Sequence, residues 1–106
     1  MKFLTIPLLF SLSLPYTSVV HSTNRIESKV TWGKDWIFKE SKVRATCVLK
    51  TNGKKLALVD FGEGKEFFGL NNEANELGYS IPVNTVSPSH YKFKKFTESI
   101  LKLCDL

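Results

Sequence analysis

Hydrophobic and polar residues alternate along one pair of segments and recur at helical spacing in another. Val43-Arg44-Ala45-Thr46-Cys47-Val48-Leu49-Lys50 and Lys55-Leu56-Ala57-Leu58-Val59-Asp60-Phe61 are β-rich runs joined by Thr51-Asn52-Gly53-Lys54. Asn-Gly at such a junction predicts a two-residue type I′ turn, because both central residues take positive φ. That turn pairs Thr51 with Lys54, Leu49 with Leu56 and Cys47 with Leu58. Alternation then places Val43, Ala45, Cys47, Leu49, Leu56 and Leu58 on one face. Arg44, Thr46, Val48, Lys50, Ala57, Val59 and Phe61 take the other. Asp60 is the awkward residue in this register: it falls on the apolar face opposite Ala45, so the strand is expected to end or bulge there.

Upstream, Val30-Thr31-Trp32 and Trp36-Ile37-Phe38 flank Gly33-Lys34-Asp35 and read as a second short hairpin with Gly33 first in a type II′ turn. Downstream, Glu66-Phe67-Phe68-Gly69-Leu70 and Tyr79-Ser80-Ile81-Pro82-Val83 read as further strands, the latter confined to an edge by Pro82. Asn71 to Glu76 reads as a polar loop or a single helical turn. At the C-terminal end Ser87 is a candidate N-cap with Pro88 at the first helical position. Phe93, Phe96, Ile100, Leu103 and Cys104 then form an apolar stripe, while Lys92, Lys94, Lys95 and Lys102 take the remaining faces. The expected architecture is α+β: a small antiparallel β-sheet of two hairpins plus an edge strand, with a C-terminal amphipathic helix packed on one face.

The first 22 residues carry a different pattern. Lys2 precedes an almost wholly apolar or hydroxylated run from Phe3 to Leu14, and Pro15 leads into Thr17-Ser18-Val19-Val20-His21-Ser22. Val20 and Ser22 suit the −3 and −1 positions of a signal peptidase site, so cleavage is expected after Ser22. An uncleaved anchor is the poorer reading, since Phe3–Val20 spans only 18 residues and contains two prolines and five Ser/Thr. Cleavage leaves a single exported domain, Thr23–Leu106, which is 84 of the 106 residues.

A domain of that size builds only a modest core. Export would place Cys47 and Cys104 where disulfides persist, and two cysteines allow one intramolecular pairing. Each cysteine is set inward by its own local periodicity, one on the hairpin and one on the helical stripe. A disulfide stapling helix to sheet follows from that agreement. Closing a 57-residue loop would stabilise the fold by about 4 kcal/mol in the chain-entropy treatment.

Composition narrows the function classes more than it names one. The chain is 42% hydrophobic with 15 Lys+Arg against 10 Asp+Glu, which excludes disordered, collagen-like and multi-span membrane classes. The net charge of +5, or +4 once Lys2 is lost, favours anionic surfaces. His90 is the one histidine left after cleavage, and nothing nominates a nucleophile beside it. There is no H-E-x-x-H, G-x-S-x-G or P-loop, and with both cysteines consumed a transition-metal site lacks ligands. Asp60, Glu63, Glu66, Glu73 and Glu76 form a locally acidic stretch without calcium-loop spacing. No enzyme activity, cofactor or metal is expected.

Residues 25–55 hold nine Lys/Arg against three acids, interleaved with Trp32, Trp36 and Phe38, and Lys92, Lys94 and Lys95 add a basic trio. The plain reading is a solvated lysine face over aromatics buried in the core. The sharper one makes Trp32, beside the Gly33 turn, an exposed binding anchor, with Trp36 and the lysine trio around it. Export argues against a nucleic-acid partner. The expected function is a non-catalytic secreted or periplasmic binding protein: an inhibitor, immunity or accessory factor acting on another extracytoplasmic protein. The alternative is a cationic factor that binds the cell envelope or a membrane surface.

Overall fold

The computed structural model describes residues 19–62, 66–82, 86 and 89–106. Strands β1 (Val19–Ser28), β2 (Lys42–Lys50), β3 (Lys55–Asp60) and β4 (Phe68–Gly69) form one antiparallel sheet in the order β1-β2-β3-β4. Helix α1 (Lys29–Trp32) leads into a 3₁₀ turn at Gly33–Asp35, and α2 (Asn72–Glu76) follows β4. Helix α3 (His90–Leu101) continues into a second 3₁₀ turn, Lys102–Asp105. The fold is the expected α+β arrangement of a small antiparallel sheet with the C-terminal helix packed on one face.

Cys47 and Cys104 are disulfide-bonded with their Cα atoms 5.5 Å apart. The bond joins the middle of β2 to the turn after α3. Phe96, Ile100 and Leu103 are fully buried and Phe93 partly so, as the apolar stripe requires. Thr97 joins that face, its hydroxyl donating to the Phe93 carbonyl at 2.9 Å. A hydroxyl that bonds back one turn can be buried on a helix without an orphan donor.

The β2–β3 hairpin forms with a register one residue away from the expected one. Cys47 lies opposite Ala57, Thr46 opposite Leu58 and Arg44 opposite Asp60. The loop is three residues, Thr51-Asn52-Gly53. Gly53 N–H donates to the Lys50 carbonyl at 2.9 Å and Lys50 N–H to the Lys54 carbonyl at 3.0 Å. Gly53 takes the left-handed conformation, φ +84°, the position that a type I turn closed by a bulge reserves for glycine. Asn52 Oδ1 accepts from Lys54 N–H at 3.0 Å and fixes the loop.

A one-residue shift turns every side chain of β3 to the opposite face. Ala57 and Val59 therefore join Val43, Ala45 and Cys47 beneath α3, while Leu56 and Leu58 face the other way with Val48. Asp60 leaves the helix-covered face and meets Arg44.

Four other elements differ from expectation. Residues 19–28, assigned no strand from the sequence, form the longest one, and β1 pairs along the whole of β2 with an irregularity between Val19 and His21. The expected hairpin over 30–38 is instead helix α1 and a 3₁₀ turn. Ser28 caps α1 by accepting from Thr31 N–H at 3.2 Å, and only Phe38 makes a strand-like bridge, to Val86. Helix α3 begins at His90 and is capped by Ser89, whose hydroxyl accepts from Lys92 N–H at 3.3 Å. Ser87 and Pro88 lie outside the described residues, as do residues 1–18 of the expected signal segment, Glu63 to Lys65 of the acidic stretch, and Val83. Tyr79–Pro82, expected as part of an edge strand, is irregular chain and not strand.

Candidate binding surfaces

Trp36 lies in the core and Trp32 packs at its margin. Trp36 is 8% exposed, donates its indole N–H to the Glu40 carbonyl at 2.7 Å, and meets Phe38 and Phe96 edge-on. Trp32 is half-buried with its ring 5.0 Å from that of Phe96, a separation at which aromatic rings attract beyond simple area burial. Its indole N–H donates to Glu27 Oε1 at 2.9 Å. Glu27 is itself buried, and its other oxygen accepts from Arg25 Nε at 2.6 Å. The carboxylate is thus shared between a cation on its own strand and the indole that folds α1 back over the core. Trp32 is thus half-buried where full exposure was expected, and Trp36 belongs to the core.

The lysine trio does not gather into a patch. At about 100° per residue, Lys92, Lys94 and Lys95 spread across nearly half the circumference of α3, with the exposed Glu98 between Lys94 and Lys95. Lys95 is engaged: its Nζ donates to Asp35 Oδ2 at 2.7 Å. That hydrogen bond, aided by the charges of Lys95, Lys92 and Lys34, holds the Asp35 carboxyl below its ordinary value, and Asp35 in turn raises the Lys95 ammonium. The basic residues therefore bind within the molecule as well as facing solvent.

His90 opens α3 and is exposed. It lines a shallow cleft of about 440 Å³ with Phe93, Lys94, Thr97 and Glu98. Among the described residues no group of three His, Cys, Asp or Glu side chains is placed to hold a metal ion. No described helix is long and apolar enough to cross a membrane.

The sheet face opposite α3 carries a surface that sequence reading missed. Leu56 and Leu58 on β3 and Val48 on β2 form its floor, and Ala74 of α2 and Phe67 pack against them. A groove of about 300 Å³ opens here, with Leu77 (52% exposed) and Tyr79 (39% exposed) on its rim and Ser22, Thr46 and Lys50 as polar lining.

Asn71 positions that wall. Its Oδ1 accepts from Ala57 N–H at 3.1 Å and from Ala74 N–H at 3.3 Å, while its Nδ2 donates to the Lys55 carbonyl at 2.9 Å. One side chain thereby caps α2 and clamps it to β3. Gly69 lets the wall close: a Cβ there would lie 2.5 Å from the Tyr79 carbonyl oxygen and 2.6 Å from Ala74 Cβ. The signal available in sequence was Leu56-Ala57-Leu58-Val59, apolar on both faces, which demands cover on both sides of the sheet.

A second cleft, about 150 Å³, lies further along this face between Ile26, Lys42, Arg44, Asp60 and Phe61. Asp60 is wholly buried and meets Arg44 Nε at 2.9 Å, with Gly62 N–H donating to its other oxygen at 3.1 Å. Both carboxylate oxygens are satisfied, so the pair closes this end of the sheet.

The chain matches no protein-family model, no curated protein and no solved structure.

Proposed function

We propose that the protein is a non-catalytic binding protein of an extracytoplasmic compartment, an inhibitor, immunity or accessory factor that docks on another protein. The observation that carries this reading is the apolar groove on the face opposite α3. Its rim places Leu77 and Tyr79 half-open to solvent over a floor of Val48, Leu56 and Leu58. Tyrosine beside aliphatic side chains in a concave apolar site is the composition that anchors protein partners. The disulfide supports the compartment, because such bonds persist where the milieu is oxidising. It also fixes the helix-covered layer, so the groove face is presented on a stiff support.

The competing reading, a cationic factor for anionic surfaces, draws on the net charge of +5. The two separate by salt and by variant. Binding of the disulfide-intact protein to its host's extracytoplasmic fraction is compared at low and moderate salt, alongside Leu77→Ser, Tyr79→Ser and Lys92→Ala/Lys94→Ala. Retention that tolerates salt and falls at least tenfold with the groove variants supports a protein partner. Retention that collapses with salt and follows the lysines instead supports the surface binder. Hydrolytic turnover by the purified protein that survives His90→Ala and metal removal would overturn both.

A further inference from the structure

The outer flank of β1 is the long open edge of the sheet. Among the described residues β1 runs ten residues at one end of the strand order, Thr23–Ser28 of them beyond the expected cleavage after Ser22, whereas the opposite edge, β4, has two. An unpaired edge of that length is a template for another strand. Between Val19 and Ser28 there is no proline and no lysine, and Ile26 stands 61% exposed; the register irregularity between Val19 and His21 leaves the regular stretch C-terminal to it.

We propose that β1 pairs with β1 of a second copy, antiparallel about a two-fold axis through Ile26. That register is selected by self-complementarity. It sets Ile26 against its own mate, Arg25 against the partner's Glu27, and Asn24 against the partner's Ser28. An apolar pair at the axis is flanked by opposite charges on one face and by hydrogen-bonding side chains on the other, the cross-strand combinations that stabilise antiparallel pairs. Arg25 keeps 48% of its side chain exposed, whereas Glu27 is buried on Arg25 and Trp32, so the charged flank contributes attraction between the strands and no new ion pair.

Backbone geometry agrees. On an edge strand alternate residues turn their N–H and C=O outward. In this register every residue faces one of its own parity, so outward groups meet outward groups whichever set they are. The pairing extends from Asn24 to Ser28 and ends where α1 begins at Lys29. It is distinct from the groove, whose β1 lining, Val19 and Ser22, lies outside the paired stretch Asn24–Ser28.

The test is sedimentation velocity of the disulfide-intact protein over a dilution series, with Ile26→Lys as the disrupting variant. The expected result is a concentration-dependent dimer for the wild type and a monomer for Ile26→Lys, with unchanged far-UV circular dichroism. A wild type that stays monomeric at its highest soluble concentration overturns the proposal, as does an Ile26→Lys variant that remains dimeric. Should Ile26→Lys fail to fold, Ile26→Cys decides. Directly opposed Cα atoms in an antiparallel pair lie about 4.5–5.5 Å apart, within reach of a disulfide. Ile26→Cys should therefore give a covalent dimer on mild oxidation, and Val30→Cys, on a residue 94% exposed but beyond the pairing, should not. Equal cross-linking of the two overturns the register.

Discussion

Substituting Arg44 by methionine should destabilise the protein far more than a half-exposed arginine suggests. Asp60 is wholly buried at the end of β3 and faces Arg44 across the ladder, Nε to Oδ2 2.9 Å. Methionine keeps most of the aliphatic stem and removes the cation, leaving Asp60 with the Gly62 N–H as its remaining partner. Stripping one partner from a buried ion pair costs about 3–5 kcal/mol. The Arg44 side chain is 36% exposed, so water takes up part of the charge, and about 3 kcal/mol is the figure to expect. A domain of this size holds about 5–10 kcal/mol in total. With a urea m value of about 1.5 kcal/mol/M, the unfolding midpoint should fall by about 2 M.

Two companion variants make the prediction specific. Asp60→Asn keeps the shape and an acceptor for Gly62 N–H, and should cost about 1–2 kcal/mol. The double variant Arg44→Leu/Asp60→Leu replaces both charges by apolar groups and should cost less than Arg44→Met alone, since burying no charge removes the desolvation penalty. The same experiment tests the hairpin register. In the two-residue-turn alternative Asp60 faces Ala45 and Arg44 has no buried acid to serve. An Arg44→Met unfolding free energy within about 0.5 kcal/mol of wild type would refute both the pairing and the register that creates it.

Reduction of Cys47–Cys104 should remove up to about 4 kcal/mol, given a separation of 57 residues, and should appear as a large drop in melting temperature in reductant with no change in the oxidised far-UV spectrum. Gly69→Ala should cost about 1–3 kcal/mol in urea unfolding, because the new methyl meets the Tyr79 carbonyl at 2.5 Å and backbone cannot swing aside as a flexible side chain can. Asp35 titrates low because Lys95 donates to it, so its contribution to stability is present above the ordinary carboxylate range and is lost as pH falls through the depressed value. Lys95 titrates high, so its share is held below the ordinary lysine value and lost as pH rises through the raised one; Lys95→Met should move the Asp35 midpoint upward in a carbon-detected NMR titration.

Much of the helix-covered layer was legible in the sequence. The stripe Phe93, Phe96, Ile100 and the inward settings of Cys47 and Cys104 follow from two independent periodicities, and the disulfide satisfies both. β2 was legible for the same reason, being apolar on one face only at Val43, Ala45 and Cys47. β3 was not. Leu56-Ala57-Leu58-Val59 offers an apolar face in either register, so the choice fell to the turn, where Asn-Gly serves a two-residue loop and a three-residue loop equally. The one residue able to break the tie was Asp60: a carboxylate set on the apolar face opposite Ala45 marks the wrong register, and a shift of one delivers it to Arg44. β1 escaped notice because Asn24-Arg25-Ile26-Glu27-Ser28 buries only Glu27 among its central residues. A strand that is mostly exposed carries no apolar alternation to read.

The division between the two faces bears on function. Beneath α3 lie the disulfide, an aromatic cluster centred on Phe96, and the Glu27–Trp32 hydrogen bond. Across the sheet, cover is supplied by a five-residue helix held by one asparagine and by a glycine that permits its approach. Regions with few buried contacts open at the lowest free energy, and binding surfaces are drawn from them. The Leu77–Tyr79 rim follows directly from this lightly held helix, with Gly78 at φ +96° reversing the chain between them. If the groove is the docking site proposed above, a partner inserting an apolar side chain between Leu77 and Tyr79 would displace this lightly held wall, while the stapled layer would keep the floor of Val48, Leu56 and Leu58 in register. The slip that took Leu56 and Leu58 out of the expected core is what gives this protein an apolar surface to offer.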